Sequence, residues 1–199
     1  MKALAPGLYR WTARHPAWRP GAPPDSPGDW PPAVGCVAYA AAEGLVFVDP
    51  QLPAEDGWPA LDALVAEHGP AVAVLTTIRF HGRSGERVAE RYGGERLGVG
   101  AGVPGVEPIP LARADETLFW LPRVRALIAG DRLIGAAGGG LRVCPQPWLD
   151  YLPGGLTVAE LRDRLRPLLE LSVELVLVSH GEPVLADGAA ALAGALDAP

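Results

Sequence analysis

The sequence predicts a mixed α/β fold whose sheets are covered by helices. Three observations carry that expectation. Apolar runs of strand length alternate with stretches of helical spacing, in the order hairpin, strand–helix units, hairpin, helix–strand–helix. The strand runs are apolar at successive positions, hence on both faces, which requires cover on both sides. No internal repeat and no shift in composition divides the 199 residues, so a single domain spanning 1–199 around one sizeable core is expected.

Taken in order, Gly7 to Trp18 is short and aromatic, as in an opening strand. Pro16–Pro32 holds seven prolines together with Trp18 and Trp30. Residues that lock φ and lack an N–H at this density exclude helix and strand, so this is a long loop, expected to lay its tryptophans over the mouth of a pocket. Val34–Ala41 and Leu45–Val48 read as a β-hairpin ending in Asp49-Pro50. Trp58–Glu67 has helical spacing at Leu61, Leu64 and Val65 and is stopped by Gly69-Pro70. Ala71–Thr77 is a buried strand. Gly85–Tyr92 is a helix with Ser84 at the N-cap position and Gly93-Gly94 at its end.

Leu97–Leu111 is rich in Gly and Pro and holds at most one short strand. Thr117–Leu121 and Arg125–Ala129 form a second hairpin around Pro122-Arg123-Val124, and Ala136–Gly140 is a small-residue loop. Thr157-Val158-Ala159-Glu160 is a capping box that opens a helix to about Glu170. Val173–Ser179 is a strand, and Asp187 can cap a last helix, Gly188–Leu196.

Composition narrows the function. The net charge is −6, and a single lysine, Lys2, stands against sixteen arginines without forming a basic stripe, which argues against nucleic acid as a partner. No apolar stretch reaches ~18 residues, so no membrane span is expected. The opening Met1-Lys2-Ala3-Leu4-Ala5-Pro6 lacks an apolar signal core, so a cytoplasmic protein acting on a small-molecule ligand or substrate is the plain expectation. The arginine skew and abundant alanine suggest a GC-rich bacterial genome. Cys36 and Cys144 are read as buried free thiols.

The polar residues fall in a pattern. Three apolar strands each deliver one acid/base or metal-ligating side chain at the carboxyl end: Val72–Phe80 runs into His81, Arg125–Gly130 into Asp131, and Leu175–Ser179 into His180. In α/β architectures that edge is where ligands bind. Two imidazoles and a carboxylate are a minimal metal set with positions left open for water or substrate. The ordinary alternative is a turn-forming Asp after Gly and two hydrogen-bonded core histidines. Arg79 and Arg83, beside His81, suit an anionic substrate group, or else a solvated pair with Glu86 and Glu90. Trp18 and Trp30 are candidates to shape the substrate pocket, and His15 to fringe it. Ser179 next to His180 invites a Ser–His reading, but adjacent strand residues face opposite ways. Gly138-Gly139-Gly140 has no following G-K-[ST] and reads as a turn.

From Val34 to Pro183 the chain resembles the metallo-β-lactamase superfamily, which includes glyoxalase II-like thioesterases. Leu45-Val46-Phe47-Val48-Asp49-Pro50 resembles the family's early strand ending in Asp. Phe119–Asp131 is similar to the hairpin ending in Gly-Asp, whose Asp bridges two metals in the family. Ser179-His180-Gly181-Glu182-Pro183-Val184 resembles the late His-Gly turn that supplies another ligand. The resemblance implies a four-layer αββα sandwich, with Asp49 lying behind the ligands.

It also implies a reduced site. The family hallmark H-x-H-x-D-H is replaced by Thr76-Thr77-Ile78-Arg79-Phe80-His81-Gly82-Arg83-Ser84. Two registers are open: His81 at the last His, favoured because Val88 and Tyr92 then fall on the buried face of the next helix, or His81 at the second His. The family's middle His, expected near Ala112 or Arg113, is also missing. At most His81, Asp131 and His180 remain as metal ligands and catalytic residues. Two ions need about eight ligand contacts, so one divalent ion (zinc, iron or manganese) or none is expected, weakly held and opposed by nearby arginine charge. Two functions stay open: a hydrolase of ester- or thioester-type substrates with a mononuclear site, and a metal-free, non-catalytic member that binds a ligand or partner in the same pocket. An empty or water-filled site is the expectation for the protein as isolated.

Overall fold

The computed structural model describes residues 1–52, 57–136 and 138–198. A six-stranded sheet runs in chain order: β1 (Lys2–Ala5), β2 (Leu8–Arg14), β3 (Ala33–Ala41), β4 (Gly44–Val48), β5 (Ala71–Leu75) and β6 (Glu95–Leu97), antiparallel to β4 and parallel beyond it. A second sheet has the order β12-β9-β8-β7, with β7 (Glu107–Leu111), β8 (Glu116–Leu121), β9 (Ala126–Ala129) and β12 (Leu175–Val178); its β12–β9 pair is parallel. β10 (Leu133–Ala136) and β11 (Gly140–Val143) form a separate hairpin.

Strict alternation along the strands fixes the layers. On β4, Val46 and Val48 join Phe119, Ile128 and Leu177 in a core between the sheets, while Leu45 and Phe47 join Leu61, Leu64 and Val88 on the outer face. On β12, Leu175 and Leu177 face the same inner core, while Val176 and Val178 join Leu161, Leu165 and Leu192 outside. Period-two side chains with apolar residues at both phases thus fill three cores between four layers. The outer layers are α1 (Trp58–His68) and α2 (Gly85–Tyr92) on one side, α3 (Val158–Leu165) and α4 (Gly188–Asp197) on the other. This is the expected αββα sandwich. Among the described residues no helix is long and apolar enough to cross a membrane.

Several elements differ from expectation for local reasons. The opening segment is a two-strand hairpin, and Trp18 lies beyond it in the loop. The Gly/Pro-rich stretch supplies β7, an edge strand that tolerates Pro108 and Pro110 because their missing donors face no partner strand. The stretch expected as an Ala136–Gly140 loop is the turn of the β10–β11 hairpin; residue 137 lies outside the described residues. The capping box is formed: Thr157 Oγ1 accepts from Glu160 N at 3.2 Å and Glu160 accepts from Thr157 N at 2.9 Å. That helix is α-helical only to Leu165 and tightens to a 3₁₀ turn at Arg166–Glu170, where Pro167 removes a donor. Ser84 does not cap α2, since its hydroxyl instead accepts from Leu52 N at 3.1 Å and Gln51 Nε2 at 3.3 Å. Asp187 makes no side-chain cap either.

The sheets are stitched together at one end. Gly35 N donates to Ser179 O at 2.8 Å and Thr117 N to Thr77 O at 2.8 Å, joining β3 to the exit of β12 and β8 to the exit of β5. The carboxyl ends of β4, β5, β9 and β12 all open at this end.

Candidate metal centre

Each side chain at this end is fixed by its backbone. Asp49 follows β4 with φ of 48°, a left-handed conformation that Asp tolerates better than most residues. Its carboxylate accepts Thr77 N at 2.9 Å and Thr77 Oγ1 at 2.5 Å. His81 sits on a 3₁₀ turn, Arg79–Gly82, four residues before Gly85 opens α2.

Asp131 is presented by a turn whose three successive amides, from Gly130, Asp131 and Arg132, donate to the Glu116 carboxylate at 3.0, 2.7 and 3.0 Å. Position 130 must be glycine, because a Cβ there would meet Thr77 Oγ1 at 2.5 Å and Glu116 Oε2 at 3.0 Å. His180 is aimed by the Gly181 turn (φ 84°) pressed against Gly135, whose N–H donates to His180 O at 2.9 Å.

These residues form one chain of contacts. Asp49 Oδ2 lies 2.9 Å from His81 Nδ1. His81 Nε2 lies 3.0 Å from Asp131 Oδ1, and His180 Nε2 lies 3.2 Å from the same oxygen. His81 and His180 are almost fully buried. Burial pulls the His81 pKa down, but the charges of Asp131 and Asp49 overcome it and raise the imidazole to about 9. Burial pushes Asp131 up, yet His81 and His180 hold it well below the usual carboxylate range. Asp49 is likewise lowered against burial, by His81 and Arg83. Burial lowers His180, only partly offset by Asp131. Beneath the turn, burial drives Glu116 up to about 7, against the pull of Arg132 and the amides.

The sequence matches no protein-family model and no curated protein. Solved structures match throughout. A metallo-β-lactamase from Hirschia baltica is 11% identical, with a TM-score of 0.64 over 98% of this chain and 94% of its own. DIM-1 metallo-β-lactamase is 13% identical, with a TM-score of 0.63 over 98% and 93%. A metallo-β-lactamase family protein from Thermus thermophilus is 17% identical, with a TM-score of 0.53 over 96% and 78%. The chain has the metallo-β-lactamase fold.

In this metallo-β-lactamase-fold chain the residues at the sheet ends fit a single ion. His81, Asp131 and His180 each offer a ligand atom, all within 4.8 Å of one another. Two ligands about 2.0–2.1 Å from a tetrahedral ion stand about 3.3 Å apart, close to the two contacts at Asp131 Oδ1. That oxygen is buried and receives no aligned hydrogen bond, although both imidazoles are within ion-pair range. Asp49 on Nδ1 fixes the His81 tautomer that leaves Nε2 free, the usual carboxylate–histidine support of a metal ligand.

The remaining candidates divide. Arg83 and Trp30 line the cavity above the three ligands. Arg83 is anchored, its Nη1 donating to Gly35 O at 2.8 Å and Asp49 O at 2.9 Å. Arg79 turns away from the cavity, 56% exposed and 3.2 Å from Asp115. Trp18 does not line the cavity; its indole N–H donates to Trp30 O at 2.8 Å and so holds the tryptophan that does. The loop covers the pocket as anticipated, with Pro27 and Trp30 in its wall, and His15 fringes it.

From the hallmark segment Thr77 and His81 reach the site, while Phe80 is 56% exposed. Ser179 also reaches the site, with Oγ 3.4 Å from His81 Nδ1, because β12 ends at Val178 and alternation no longer applies. Sequence reasoning missed Glu116, Arg132 and Trp148, which are distant in the chain and carry no local motif.

Proposed function

We propose that this chain is a hydrolase of ester- or thioester-type substrates that works with one divalent ion held by His81, Asp131 and His180. The observation that supports this reading best is Asp131 Oδ1, buried between two imidazole nitrogens at 3.0 and 3.2 Å yet without an aligned donor. When bound, such an ion acidifies a water and polarises a carbonyl. The chain's own residues supply the rest. Asp49 orients His81, the Glu116-bound turn fixes Asp131, and Trp30 and Trp148 exclude bulk water around His180. The test is turnover of a generic ester and thioester by untagged protein with added zinc, manganese or iron(II). Turnover in wild type and none in Asp131→Ala is expected; equal turnover in both overturns the reading.

A second reading has its own observation. With His81 charged between Asp49 and Asp131, and Arg83 alongside, the two carboxylates are balanced without any ion. In that case the protein is a metal-free binder of a small ligand in the same cavity, and no added metal produces turnover.

A further inference from the structure

The cavity above His81, Asp131 and His180 encloses about 680 Å³, within the range of small-molecule sites. Its walls are largely ring faces. Trp30 and Trp148 stand 5.3 and 5.6 Å from the His180 ring, and Phe80 packs edge-on to Tyr151 at 5.4 Å. Polar atoms on these rings are engaged elsewhere: the Trp148 indole donates to Ser26 O at 2.7 Å, and the Tyr151 hydroxyl accepts from Arg132 Nη2 at 2.6 Å. The Trp148 ring therefore offers carbon to a ligand, and Tyr151 offers its ring with one hydroxyl proton still free to donate.

The nearby cations are engaged as well. Arg79 lies over Phe80 and Tyr151 at 4.8 and 5.2 Å and is paired with Asp115. Arg83 is tied to two carbonyls through Nη1 alone, and its Nε and Nη2 are buried without a hydrogen-bond partner. Asp150 adds a carboxylate to the lining, which opposes an anionic ligand.

We infer that the ligand of this cavity is an ester or thioester with an uncharged aryl or branched-alkyl acyl group packed against Trp30, Trp148, Phe80 and Tyr151. The bond broken rests on the hydrolase reading; the apolar body does not. In the reaction the acyl carbon gains the water oxygen, its C–O or C–S bond breaks, and the leaving alcohol or thiol takes a proton.

Two measurements on the full chain keep the two claims apart. In the first, zinc-loaded protein is given p-nitrophenyl acetate, butyrate and phenylacetate. Each buried methylene is worth roughly fourfold, so kcat/KM rises about tenfold or more from acetate to phenylacetate. The rise shrinks in Phe80→Ser, a substitution at an exposed side chain that leaves the core intact. A flat or falling series overturns the ligand class while leaving the hydrolase reading standing.

In the second, metal-stripped protein is titrated with neutral phenylacetamide, acetamide, inorganic phosphate and choline, read by tryptophan fluorescence. Saturable quenching by phenylacetamide alone is expected. If that binding occurs and no ester turns over with any metal, the ligand class holds and the hydrolase reading falls. Saturation by phosphate or choline in its place overturns the inference.

Discussion

His81 is held from both sides, with Asp49 2.9 Å from Nδ1 and Asp131 3.0 Å from Nε2. Asp49→Asn keeps the shape but weakens the acceptor that fixes the tautomer. Zinc affinity should fall by about 10–100-fold, since outer partners of this kind typically carry that much affinity, and the metal-free protein should also melt lower, because His81 loses one of its two buried counter-charges. Unchanged affinity would show that Asp49 serves only the fold. The same pair gives the metal-free protein a pH signature. The His81 pKa is raised from 6.5 to about 9 on folding, so its stabilising contribution is complete below about 6.5 and is lost as pH rises through about 9. Urea midpoints of the metal-free protein should decline across that window, and less so in Asp131→Ala, which removes one of the two charges responsible. Metal binding should strengthen over the same window, because it requires the free base at Nε2. His81, Asp131 and His180 were legible in the sequence because each follows an apolar strand, although β5 stops at Leu75 and His81 comes six residues later on a 3₁₀ turn. Glu116 was not, because a buried carboxylate under a turn becomes visible only when that turn folds onto it.

The loop over residues 15–32 shows how an element without regular structure is still ordered. Its ends meet through His15 N to Pro32 O at 2.9 Å, and Trp148 donates to Ser26 O at 2.7 Å. Within it Trp18 supports the backbone of Trp30, whose ring lies against His180. Trp18→Ala should therefore act on the pocket from outside it: limited proteolysis should cut within 16–32 faster than in wild type, and any turnover should lose KM before kcat. Wild-type resistance to cleavage would remove Trp18 from this role. Prolines announced the loop, and local chemistry announced the capping box at Thr157 and Glu160. Ser84 misled because its hydroxyl is recruited by Gln51 and Leu52, partners from another part of the chain. The hairpin β10–β11 was hidden by short strands whose small residues resemble a turn.

The sandwich as a whole follows from alternation that is apolar at both phases, which leaves three cores between four layers and opens four strand ends at one edge. From the sequence, alternation and element order gave helix-covered sheets and three of those strand ends, and the four-layer arrangement came from the family resemblance. The register of the hallmark segment could not be read there, since it depends on which side chains the 3₁₀ turn at Arg79–Gly82 rotates inward. The proposed single centre rests on His81, Asp131 and His180, with Arg83 alongside as a like charge. The direct test is metal stoichiometry by mass spectrometry on untagged full-length protein after equilibrium dialysis against zinc. One equivalent in wild type and none retained by Asp131→Ala is the predicted result; two equivalents, or equal retention by Asp131→Ala, would contradict it.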